Sequence, residues 1–467
     1  MAKITGLFAA KDMTQGTPWK RIVQFTVPLL IGNIAQQFYN TADSIIVGRY
    51  IGDNALAAVG SAGPILHLLL VLFVGISVGA SIMVSQYFGA KDREHLSLTI
   101  GTCIVLTGIA SVIIMVVGPL VSRPLLELLN TPASIIDWCS DYLSTFFLGI
   151  AGFSYYNILA GVLRGLGDSF SALLFLLVST VLNVGLDILF VAAFDMGVPG
   201  VALATVIAQS ISAVFCLIKL LKMKEHFDLT WSMLRINRAL SMQVIKLGLP
   251  SGLTQAIFSM AMIVVQSLTN SFGEMVIAAH VIIMRVDGFA MMPNFSFGNA
   301  MTTFTGQNMG AKRMDRVDEG TKHGVAMAVG VSTAITILLL LFGHHLMMVF
   351  TDTPELVDFS VRMLRILAFG YIAVAVTQTL SGVMRGAGDT LTPMWISLIV
   401  TVGLRVPIAY GLAYATRSAQ YATGRPESVF ISLLISWTIG SLVNLAFYRR
   451  GAWRKKDITQ STRREVA

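Results

Sequence analysis

Two aspartates interrupt apolar stretches in the first half of the chain. Asn40 precedes Asp43 by three residues and Asn183 precedes Asp187 by four, so on helices each amide shares a face with its acid. A charged group at the centre of a membrane helix costs about 2.5–3.5 kcal/mol on insertion scales. Two carboxylates in a poorly hydrated pocket cannot both ionise cheaply. Such a pair, ringed by amide and hydroxyl oxygens, can hold a proton. With both acids charged, Asp43, Asp187 and Asn183 can instead hold Na⁺, a hard cation that takes oxygen donors. Asn157 and Thr205 are further oxygen ligands able to converge on the pair. The competing reading makes Asp43 an ordinary solvated acid near Arg49 at the end of its helix.

The second half offers different chemistry. Its one well-buried acid is Asp287, two residues from Arg285 and able to meet Arg405. Pairing with either arginine makes Asp287 structural; without it, Asp287 can help bind a cationic substrate. Phe258, Met260 and Met262, with Met291, Met292 and Phe295, are soft side chains suited to an adaptable, promiscuous cleft. Gly161–Ser169 repeats as Gly382–Thr390, in the form G-V-x-R-G-x-G-D-[ST]. No strand or Gly-Lys-Ser/Thr accompanies it, so a phosphate loop is excluded. The glycines suit tight turns, Arg164 and Arg385 suit anchoring in the cytoplasm, and Asp168 and Asp389 suit helix caps or pairing with those arginines. H-E-x-x-H, G-x-S-x-G and C-x-x-C are absent, and Cys103, Cys139 and Cys216 are isolated. Neither an enzyme nor a bound cofactor is expected.

The elements that must position these residues follow from composition. Of 467 residues, 12% are charged and 55% hydrophobic, against about a quarter charged in globular chains. Apolar runs recur at lengths that cross a ~30 Å hydrocarbon core. Polar breaks divide them into twelve predicted spans: 22–48, 55–88, 96–121, 136–162, 169–193, 198–221, 244–272, 277–308, 320–350, 357–384, 391–416 and 427–448. No apolar h-region precedes Ile22, so the first span should itself direct insertion. The repeat has companions at the same offset of 221 residues: Gln86, Gly89, Ala90 and Lys91 return as Gln307, Gly310, Ala311 and Lys312. The chain is therefore expected to be all-α and polytopic, with two pseudo-symmetric six-helix bundles in parallel repeat. Residues 1–225 form the first lobe, 226–243 a cytoplasmic linker, and 244–467 the second lobe with a basic tail.

Charge sets the orientation. Of the 33 Lys and Arg, 25 fall on the side of the two termini, Lys3, Arg463 and Arg464 among them. That bias predicts cytoplasmic termini and explains the net charge of +8 without nucleic acid. Two bundles about a cleft predict alternating access, with substrate near the midplane.

The residues also resemble a known family. Pro28, then Gln36-Gln37-x-x-Asn40-x-x-Asp43 and Gly48-Arg49-x-x-Gly52, are similar to the first helix of multidrug and toxin extrusion (MATE) transporters. Gln86–Lys91 and Gly306–Lys312 resemble its paired loops; Arg164-Gly-x-Gly-Asp168 and Gly197–Thr205 also match. The resemblance spans about residues 16 to 450. It implies twelve helices and export of organic cations or drugs driven by H⁺ or Na⁺. In the DinF-like branch the equivalent ion-site residues are Asp43, Asn183, Asp187, Asn157 and Thr205. The acids that the NorM-like branch has on helices seven and ten are missing from mid-span here. The expectation is a monomeric antiporter in the bacterial plasma membrane, in contact with lipid and a small organic cation or amphipathic drug. The alternatives are a flippase for lipid-linked or amphipathic substrates, and a non-transporting receptor or channel.

Overall fold

The computed structural model describes residues 11–129, 131–419, 421–456 and 458; Lys3, Arg463 and Arg464 lie outside them. Twelve helical spans follow in order, and no strand occurs among the described residues. The first lobe holds α1 (Pro18–Ile46, continued by a π turn Val47–Ile51), α2 (Asp53–Gly89) and α3 (Arg93–Leu128). It continues with α4 (Ile136–Leu148 and Ile150–Gly165, bent by 55°), α5 (Ser169–Asp187, continued by a π turn Ile188–Ala193) and α6 (Gly197–Lys222). The second holds α7 (Arg238–Asn270), α8 (Glu274–Gly310), α9 (Met314–Met348) and α10 (Pro354–Ala368 with Gly370–Gly386). Then come α11 (Leu391–Leu398, a π turn Ile399–Leu404, and Arg405–Ala415) and α12 (Glu427–Arg450).

Ten of these helices are each long and apolar enough to cross a membrane, and the bent α4 makes an eleventh. α1 is as long, but Asn33, Gln36, Gln37, Asn40 and Asp43 lie along it, so apolarity alone passes over it. Helix α7 starts six residues before its predicted boundary because the Asn237 side chain accepts from the Ala239 and Leu240 N–H groups at 3.0 and 3.2 Å. A good N-cap extends a helix past the point where apolar periodicity begins.

The duplication is visible in the backbone. Lys91 and its repeat partner Lys312 both adopt left-handed φ, 55° and 58°, a conformation rare outside glycine. Asp168 caps α5 by accepting from Ser171 N at 2.9 Å, and Asp389 accepts from Thr392 N at 3.3 Å. These caps fulfil one of the two roles expected for the repeated aspartates. Asp168 is buried, and Lys219 approaches its Oδ2 at 3.5 Å. Asp168→Ala should therefore destabilise the protein by about 1–2 kcal/mol, within the range of lost caps. The check is the thermal unfolding midpoint of the purified protein; an unchanged midpoint contradicts the assignment.

The lobes meet along α2, α7, α8 and α1, chiefly in the halves nearest the chain ends. There α2 and α8 cross backbone to backbone. A Cβ on Gly89 would stand 1.9 Å from the Gln307 carbonyl oxygen, and one on Gly310 equally close to that of Gln86. The glutamine side chains lock the crossing symmetrically: Gln86 donates to the Gly386 carbonyl at 2.9 Å and Gln307 to that of Gly165 at 3.1 Å. Each also accepts from an end of the chain, Gln307 from Met13 N at 2.8 Å and Gln86 from Ile458 N at 3.0 Å. Both ends therefore sit on one side, which the crossing closes. Towards the other side, a recess of about 380 Å³ opens between Gln37 of α1 and Met262, His280, Arg285 and Phe289 of the second lobe.

Candidate functional site

Asp43 sits in the last regular turn of α1 and Asp187 ends the regular part of α5; a π turn follows each. Single π turns concentrate at functional sites because the extra residue re-aims the side chains around it. The two turns face each other, and Ile46, Val47, Val191, Val198 and Val201 join one apolar cluster around them.

The carboxyl groups of Asp43 and Asp187 converge on one side-chain amide. Asn183 stands between them. With its amide nitrogen turned to the acids it donates to Asp43 Oδ1 at 2.6 Å and to Asp187 Oδ2 at 3.2 Å. This orientation satisfies both ends of the amide. Its other end faces Thr205 Oγ1 at 3.4 Å, and the Tyr39 hydroxyl donates to the same Thr205 oxygen at 3.1 Å. Asp187 and Asn183 are 0% exposed. Asp187 Oδ1 makes no hydrogen bond among the described residues. A buried carboxylate oxygen without a partner is expensive, and a proton or small cation removes that cost.

Asp43, Asp187, Asn183 and Thr205 are thus brought together, while Asn40 and Asn157 are not. Asn40 is exposed, with its carbonyl oxygen 3.5 Å from the Gln36 amide. It follows Asp43's face only approximately, since three residues fall short of a full turn. Asn157 lines a separate central cavity, and its amide donates to the Phe153 carbonyl at 2.9 Å. The sequence reading missed Tyr39, although its place four residues before Asp43 puts it on the same face. No three His, Cys, Asp or Glu converge on one point among the described residues. Any ion at the pair would therefore rest on two carboxylates and neutral oxygens.

The central cavity, about 460 Å³, lies between the lobes. Phe258, Met292 and Phe295 line it as expected, together with Asn33, Ser81, Thr302 and Gln378. Met260 and Met291 do not. Met260 is 66% exposed, because α7 leaves the first lobe as the lobes diverge, and Met291 is buried with Tyr371 in the second lobe's core. Arg164 and Arg385 also line the cavity, so they face inward where anchoring at the surface was expected.

In the second lobe Asp287 does not pair with Arg285, which is exposed on the recess. It faces Tyr371 and the field of Arg405. Asp287 Oδ1, the Tyr371 hydroxyl and Arg405 Nε close no hydrogen bond of ordinary geometry among the described residues. Arg405, 4% exposed, instead rests its guanidinium 3.8 and 3.9 Å from the Met262 sulfur. Asp287 is therefore set back from the central cavity.

A duplicated helical bundle with an interlobe cavity and a buried acid pair defines a multi-pass membrane transporter. The chain matches the MatE family twice, over residues 28–189 and 250–411, once in each half. It belongs to the MATE family of multidrug efflux transporters. It is 30% identical over 452 residues to the probable multidrug resistance protein YoeA of Bacillus subtilis (strain 168), covering 95% of this chain and 96% of that one. It is 24% identical to the probable multidrug resistance protein NorM of Thermotoga maritima, over 94% of each chain. Among solved structures, a MATE transporter crystallised with MaL6 superposes with a TM-score of 0.87 at 24% identity, covering 95% of this chain and 99% of that one. An outward-facing multidrug resistance MATE transporter gives the same TM-score and identity, with 96% and 99% covered.

Proposed function

We propose that this transporter is an antiporter of the bacterial plasma membrane, its termini in the cytoplasm, exporting amphipathic drugs, organic cations among them, in exchange for H⁺ or Na⁺. The reading rests on one observation: two carboxyl groups bridged by the Asn183 amide and backed by a buried Thr205–Tyr39 chain. In this conformation the lobes are closed on the side of the chain ends and the pair is reached from the opposite side. An entering proton or cation offsets one negative charge of the pair, lowers the cost of burying it and favours the alternate, inward-open state. Substrate then loads, and release of the ion returns the lobes. Asn183 distinguishes the ions. With its NH₂ towards both acids it favours a shared proton; turned over, it presents a carbonyl oxygen to Na⁺.

The test is ethidium efflux from proteoliposomes under an imposed pH gradient or Na⁺ gradient, applied separately. Efflux that responds to neither overturns the reading. Within it, Tyr39→Phe removes the donor to Thr205, a bond worth about 1 kcal/mol. The ion concentration for half-maximal transport should rise roughly fivefold while the maximal rate changes little. An unaltered half-saturation places Tyr39 outside the ion site.

A further inference from the structure

We infer that the central cavity takes the acidic end of an amphipathic substrate at its arginines, Arg164 and Arg385. The two arginines occupy equivalent positions in the repeated G-V-x-R-G-x-G-D segments, so each lobe contributes one guanidinium to the cavity they share. No Asp or Glu among the described residues lines that cavity. No ion pair to either arginine occurs among the described residues, whereas Lys219 takes the nearby Asp168. The acids of the two repeats are engaged in capping α5 and α11, which leaves both guanidiniums to the cavity.

An arginine stays charged at any physiological pH, and its planar fork binds a carboxylate through two parallel hydrogen bonds. A cavity that holds two guanidiniums and no facing acid favours an anionic group, and a carboxylate bound at either arginine offsets that arginine's charge. The neighbouring wall continues the symmetry with polar groups, Ser81 opposite Thr302 and Asn157 opposite Gln378. Apolar surface comes from both lobes, Leu29, Val74 and Val78 of the first and Phe258, Met292 and Phe295 of the second. A ligand with an apolar body and one carboxylate fits such a mixed lining, in a volume within the usual ~300–1,000 Å³ of small-molecule sites. The acid pair near the π turns is a separate place, so ion and substrate anion do not compete for one set of charges. This inference rests on the exporter reading for the direction of travel; the binding preference itself does not depend on it.

The experiment is equilibrium binding to the full chain in lipid nanodiscs, corrected against empty discs. Three probes share one body: 1-pyrenebutyrate, 1-pyrenebutanol and pyrenebutyltrimethylammonium. The carboxylate should bind at least tenfold tighter than the ammonium. In Arg164→Gln/Arg385→Gln its affinity should fall to that of the alcohol, whose own binding stays unchanged and reports an intact cavity. Should the double variant fail to assemble, Arg385→Gln alone should lose roughly tenfold for the carboxylate only. Equal or tighter binding of the ammonium by the wild type, or a carboxylate preference that survives the substitutions, overturns the inference. Asp187→Asn separates the two proposals: it should leave the carboxylate preference intact even where ion-driven transport is lost.

Discussion

Asp187→Asn should leave the protein in the membrane and abolish gradient-driven efflux, with transport falling to the level of protein-free vesicles. The substitution keeps the size of the side chain and its place beside Asn183, but removes the group proposed to exchange a proton or hold a cation. Asp187 is fully buried and one of its oxygens has no hydrogen bond among the described residues, so no other side chain there takes over its charge. Asp43→Asn should act the same way, because each acid constrains the other's ionisation when they share one site. Matched insertion of both variants is verified by quantitative blotting of the vesicles, and efflux is then followed under each gradient. Vigorous gradient-dependent transport by both variants would sink the assignment of the ion site.

The second large effect lies at the opposite end of the molecule. Gly89→Val and Gly310→Val each place side-chain carbon where a backbone carbonyl oxygen already stands, at Gln307 and Gln86 respectively. A backbone oxygen in a helix cannot rotate aside, so relief comes only from separating α2 from α8. Overpacking of this kind costs typically about 1–3 kcal/mol, which shifts a two-state equilibrium by roughly 5- to 150-fold. Both variants should therefore favour the state open on the side of the chain ends. Spin labels at Glu94→Cys and Asp315→Cys, exposed and related by the repeat, should move apart by several ångströms (on the order of a lobe rotation). A distance distribution unchanged in a stably folded variant would show that the crossing is not the gate.

The architecture was almost wholly legible in the chain. Twelve apolar runs and two motifs at one offset leave little freedom, because a lipid core demands continuous helices and a duplicated sequence folds twice the same way. α1 shows where composition alone is weakest: its polar residues, Asp43 among them, hide it from a hydropathy count. Of the proposed ion site, Asp43, Asn183, Asp187 and Thr205 could be picked out because polar groups inside apolar helices are costly and hence informative. Asn40 and Asn157 lie away from the pair for a different reason. Sequence spacing gives the face of a helix, but not which neighbour that face meets, nor how a π turn shifts the register beside it.

Residue type and periodicity determined the helices, the twofold repeat and the acids of the first lobe, since these depend on local chemistry and on the solvent that each segment must enter. Only the packing of one lobe on the other decided that Arg164 and Arg385 turn inward to a common cavity, that Met260 and Met291 do not, and that glycines at a backbone crossing close one side of the protein. Those outcomes depend on contacts between segments some 140 to 300 residues apart. No stretch of the chain holds them until both lobes are folded and docked.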